Sequence, residues 1–116
     1  MDKESIFVRV RFDVREQRHE DFEKLVVALR RQADDELGTK SYRWFSAEDG
    51  SYLVIEEYAD SAAAMVHMER AAVLLERLTE CAAVGSVELH GPIEPELREW
   101  VGSNPLPTIF TDFPGR

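Results

Sequence analysis

The stretch YRWFSAEDGSYLVIEEY, Tyr42 to Tyr58, decides how the chain folds. Its two halves are strand-like and rich in aromatic residues, and Ala47-Glu48-Asp49-Gly50 joins them. Asp-Gly inside a short polar connection favours positive φ, so the two runs form a hairpin. Side chains alternate across a strand. Tyr42 and Trp44 therefore share one face with Arg43 and Phe45 on the other, while Tyr52, Val54, Glu56 and Tyr58 share a face of the neighbouring run.

Working outward from the hairpin, Ile6 to Val14 also has period two, with Val8, Val10, Phe12 and Val14 opposite Arg9, Arg11 and Asp13. That is a strand with one well-buried face. From about Glu16 to Leu37 the period changes. Phe22, Leu25, Val26, Leu29, Ala33 and Leu37 mark the buried stripe of an amphipathic helix, opposite Glu20, Lys24, Arg30 and Arg31. Gly38 suits a left-handed stop. Beyond the hairpin, Asp60 or Ser61 offers an N-cap for a second helix. This helix runs through Ala62 to Met68, with an expected kink near Glu69-Arg70, and on through Ala71, Leu74, Leu75, Leu78 and Ala82. Gly85 to His90 forms a shorter last strand. Strand, helix, strand, strand, helix, strand is a ferredoxin-like α+β order: one antiparallel sheet with both helices on one face.

That domain spans residues 1–90. Residues 91–116 are a separate extension, which holds all five prolines together with Ile93, Leu97, Trp100, Val101, Leu106, Ile109, Phe110 and Phe113. Pro95 to Val101 reads as a short helix with proline at its start. So many apolar groups need a surface to cover. The extension either packs on its own sheet or reaches a second subunit, and the sequence leaves both open.

Composition narrows the function. The 116 residues carry 23 acidic and 14 basic side chains, a formal net charge of −9, which opposes a nucleic-acid or anionic-membrane partner. One cysteine, Cys81, allows no intrachain disulfide. The expectation is a soluble, cytoplasmic domain with no leader and no membrane span. The histidines lack metal-ligand spacing, so no metal is expected, and the six scattered glycines form no phosphate loop.

Gly38-Thr39-x-x-Tyr42, the hairpin, Glu56-Glu57-Tyr58-Ala59-Asp60 and Ala63-x-x-x-His67 together resemble the antibiotic biosynthesis monooxygenase family. Leu37 departs from the pattern, where the family often has proline. The resemblance implies a homodimer whose two sheets face each other, the dimeric α+β barrel, with a pocket between sheet and helices. It also implies small-molecule chemistry such as cofactor-free oxidation of anthrones and quinols, or haem degradation. The haem-degrading members look to an asparagine on the first strand, and the only asparagine here is Asn104.

The reading is a small monooxygenase that needs no cofactor and acts on a planar phenolic, quinol or anthrone-like compound with dioxygen. A ligand-binding or scaffold module of the same fold is the alternative. His67 is the expected base, since an imidazole near neutrality can accept and return a proton. Ala63, one turn before it, is expected to leave room for a flat ring. Trp44, Tyr42, Tyr58, Glu56 and Met65 are the expected substrate-binding residues, with Trp44 and Tyr58 steadying the anion. Glu56, flanked by strand aromatics, must find a partner or a raised pKa, and a structural ion pair with an arginine of the first strand is expected ahead of acid–base work. Asp34-Asp35-Glu36 reads as a solvated helix end, His19 and His90 as surface or capping residues, and Cys81 as a buried hydrophobe without a cationic neighbour.

Overall fold

The computed structural model describes residues 3–115. The elements are β1 (Ile6–Val14), a 3-10 turn (Glu16–Arg18), α1 (His19–Ala33), β2 (Thr39–Ser46), β3 (Ser51–Tyr58), α2 (Ser61–Cys81), β4 (Ala82–His90), α3 (Pro95–Gly102) and β5 (Pro107–Phe110). The sheet order is β2-β3-β1-β4-β5. Each neighbouring pair among the first four strands is antiparallel in the ferredoxin-like arrangement, and β5 adds a parallel edge. The hairpin closes as its residues require: Gly50 takes φ 88° and Asp49 accepts from the Ser51 amide at 2.9 Å.

Two clusters make up the core. Phe12, Phe22, Val26, Leu29, Val54, Ala71, Leu78 and Cys81 lie between the sheet and the α1–α2 pair. Ile6, Val8, Tyr58, Ala64, Leu89, Ile93, Leu97 and Val101 form the second, where α3 meets the sheet. In this chain the extension packs on its own domain. Leu97 and Val101 bury one stripe of α3, each such side chain stabilising by about 1.5–3 kcal/mol. Glu94 N donates to Ser61 Oγ at 2.9 Å, and β5 runs beside β4 with Phe110 stacked on His90.

Several boundaries differ from the sequence reading. The first helix opens with a 3-10 turn and ends at Ala33, so Leu37 lies four residues past the stripe it was expected to join and is fully exposed. Gly38 does not take positive φ. It is needed for another reason: a Cβ there would lie 2.4 Å from Ala63 Cβ. Ala63 accordingly faces Gly38 and leaves no room for a ring. The second helix runs unbroken from Ser61 to Cys81 through Glu69 and Arg70, both good helix formers. Ala82 has left the helix and starts β4, which is longer than expected and shifts register opposite Arg11 and Phe12.

Candidate functional site

A cavity of about 920 Å³ opens between the inner sheet face, α2 and the extension. Val8, Val10 and Phe12 of β1, Val54 of β3, and Val84, Val87 and Leu89 of β4 supply its apolar floor. Tyr42 and Trp44 form an aromatic wall, edge to face with ring centres 6.1 Å apart. Met65, Met68 and Leu75 line it from α2, and the mouth is built by Glu96, Glu99 and Trp100 of α3 with residues of the following loop.

His67 is the polar centre of this site. It borders the cavity, yet its ring is only 1% exposed and sits between Tyr42 (4.9 Å) and Tyr58 (5.4 Å). Its Nδ1 lies 2.8 Å from Glu36 Oε1, which also accepts from Thr39 Oγ1 at 2.7 Å. A carboxylate only accepts, so Nδ1 carries the hydrogen and Nε2 is the ring's basic edge. Arg70 Nη1 stands 3.2 Å from Glu36 Oε2, paired in charge without a directed hydrogen bond, and bonds Asp35 at 2.7 Å.

Glu56 Oε1 lies 4.0 Å from His67 Nε2 and accepts the Tyr58 hydroxyl. Burial holds the Glu56 carboxyl above the usual carboxylate range, against the pull of His67 and the Tyr58 hydrogen bond. Burial first, then the Glu56 charge, pushes the Tyr42 and Tyr58 phenols far up, so both stay neutral. The Trp44 indole is near enough to Tyr42 to favour its charged form but is not placed to hydrogen-bond it. Its buried N–H has no partner among the described residues.

Five of the six residues singled out from sequence (His67, Trp44, Tyr42, Glu56 and Met65) border this one cavity. Tyr58 does not. It is fully buried and meets the site from behind, through its hydrogen bond to Glu56 and its ring against His67. The arginine expected for Glu56 is also absent, because Arg9 and Arg11 belong to the opposite face of β1. Glu36 is the residue the sequence reading missed: the acidic run was expected to be solvated, but its third member turns inward with a side chain 3% exposed. The one local sign is Thr39, whose hydroxyl reaches back three residues.

The remaining candidates lie elsewhere. His19 Nδ1 is 3.3 Å from the Tyr52 hydroxyl, and His90 Nε2 is 3.1 Å from Glu88. Cys81 is buried as expected but has a cationic neighbour after all, since Arg18 Nη2 donates to its Sγ at 3.3 Å. Among the described residues, no group of three or more His, Cys, Asp or Glu side chains converges as a metal site would. No described helix is long and apolar enough to cross a membrane.

A family model for antibiotic biosynthesis monooxygenase matches residues 5–75. No curated protein matches. Among solved structures, MupZ from Pseudomonas fluorescens aligns at TM-score 0.85 and 21% identity, over 97% of this chain and 88% of its own. A putative antibiotic biosynthesis monooxygenase from Nitrosomonas europaea aligns at 0.70 and 16%, over 82% and 96%. SnoaB, a cofactor-independent oxygenase from Streptomyces nogalater, aligns at 0.67 and 15%, over 78% and 95%. At these identities the likeness is one of fold.

Proposed function

Since the chain belongs to the antibiotic biosynthesis monooxygenase family, we propose that it is a cofactor-independent monooxygenase of a planar phenolic, quinol or anthrone-like compound. One observation carries the reading: a buried imidazole, held by Glu36 at Nδ1 and with Nε2 4.0 Å from Glu56 Oε1, borders an apolar, aromatic-walled cavity. SnoaB, of the same fold, carries out cofactor-independent oxygenation.

His67 Nε2 removes the acidic proton of the bound ring system, leaving an electron-rich anion. Glu36 and Glu56 flank the imidazole and face the positive charge it takes up. The anion passes one electron to dioxygen, the resulting radical pair combines to a peroxide anion, and the His67 imidazolium returns its proton to give the hydroperoxide. Loss of water then leaves the new carbonyl, so one oxygen atom stays in the product and the other departs as water. Trp44 and Tyr42 orient the ring, with the Trp44 N–H as donor to the developing oxyanion. Met65 adapts the α2 wall to the substrate. Tyr58 acts behind Glu56 by fixing its carboxyl.

The protein works as a cytoplasmic homodimer. The sheet face turned away from the helices carries Phe45 and Ile55, both exposed, beside Arg9 and Arg11, and a second copy covers it. Oxygen uptake by metal-free protein across a panel of quinols, anthrones and phenols tests the reaction. Uptake is expected with the parent protein, to vanish in His67→Ala, and to lose kcat more than KM in Glu36→Gln. Full uptake by His67→Ala would remove His67 as the base. Silence of the parent across the panel would favour a binding module.

A further inference from the structure

The cavity changes chemical character at its mouth, where residues of the extension replace those of the sheet. We infer that Glu96 and Glu99 of α3 make this cavity selective against anions, so that its ligand is an uncharged apolar ring system bearing a neutral oxygen. The inference rests on the cavity being the ligand site and deepens the reading above by naming the charge class of the substrate.

Three observations converge. First, the lining holds three carboxyl groups, those of Glu56, Glu96 and Glu99, and no lysine or arginine. Neither Glu96 nor Glu99 makes an ion pair among the described residues, so no neighbour cancels the charge at the mouth. Apolar walls focus such a field along the entry path, and the net charge of −9 adds to it.

Second, α3 is fixed in place. Leu97 and Val101 anchor it in the core, while Glu96, Glu99 and Trp100, three and four residues apart, border the cavity from one helical face. The carboxylates are thus held at the entrance by a packed helix. Third, Trp44 lines the same cavity, and its N–H is buried without a partner among the described residues. A neutral donor left unpaired in an apolar wall is costly, and a carbonyl or phenol oxygen of the ligand would satisfy it.

Two dyes that share one body and differ by a single sulfonate make the test: neutral N-phenyl-1-naphthylamine and anionic 8-anilinonaphthalene-1-sulfonate. Trp44 and Trp100 are the chain's only tryptophans, and both line the cavity, so quenching of their emission reports occupancy. The neutral dye is expected to bind the parent at least about tenfold more tightly, two unpaired, water-exposed carboxylates at close range sufficing for that ratio. In the double variant Glu96→Gln, Glu99→Gln the ratio should fall to about threefold or less, with the neutral dye unchanged. Added salt should narrow the parent's ratio in the same direction.

Equal binding of the two dyes by the parent would overturn the inference. So would a ratio that survives the double substitution, or failure of the neutral dye to quench. Oxygen uptake does not enter this readout, so loss of the oxygenase reading and loss of the selectivity would be told apart.

Discussion

Replacing Gly38 by alanine would set a methyl carbon 2.4 Å from Ala63 Cβ, far inside the ~4 Å at which two carbons rest in contact. The obstacle is not a flexible side-chain tip. It is a Cβ on the first turn of α2, with Ala63 Cα only 3.4 Å away, so the helix itself must give. Gly38 has no positive φ, and the whole penalty is therefore steric. Overpacking of this kind costs about 1–3 kcal/mol. Reduced freedom of the unfolded chain returns about 0.4–1 kcal/mol. A net loss of about 1–2 kcal/mol remains, and with the usual unfolding entropy a chain of 116 residues melts about 4 °C lower per kcal/mol. Thermal unfolding of Gly38→Ala should thus show a midpoint lowered by about 4–8 °C. Ala63→Gly removes the opposing carbon. Combined with Gly38→Ala it should recover at least about 1 kcal/mol relative to the sum of the single changes. A Gly38→Ala midpoint equal to the parent's, or strict additivity in the double variant, would refute the close approach.

Glu56 gives a pH signature. Its folded pKa is raised above the ordinary 4.5, so from that value upward the native state holds a proton that the unfolded chain has released. Stability then falls as pH rises through this window. Glu56→Gln should match the parent at pH 4 and lose less stability toward pH 7 in urea titrations, whereas parallel pH profiles would contradict the assignment. Light scattering should give about twice 13.3 kDa if the open sheet face is covered by a second copy, and a clean monomer would remove that partner.

Much of this architecture is written in short-range pattern. The alternation of Val8, Val10 and Phe12 against Arg9 and Arg11 specifies which side of β1 is buried, because a strand has only two faces. Asp49-Gly50 specifies the turn, because few residues take φ 88° without strain. His67, Trp44 and Tyr42 could be picked out as site residues because their types and faces suit the chemistry. What periodicity could not convey is contact across the fold. Glu36 sits in an acidic run at a helix end, where solvation is the ordinary outcome, and only its meeting with His67, 31 residues away, turns it inward. Glu56 is alike: a strand position says that it faces the core, but not that a histidine rather than an arginine waits there. The four-residue β5, opened by Pro107, is too short to have a period and owes its place to pairing with β4.

The second core cluster joins Ile6 and Val8 to Leu97 and Val101, which lie near opposite ends of the described chain. The buried members of the first cluster end at Ala82, with Val84 packed against them. During synthesis, then, the half of the domain built on α1 can close while α3 is still inside the ribosome. The other half waits, with Ile6, Val8 and Leu89 uncovered until α3 emerges. Without α3 the second half keeps a bare apolar strip, the kind of surface on which chaperones act. The helix that borders the cavity mouth is therefore also the piece that ends this exposure.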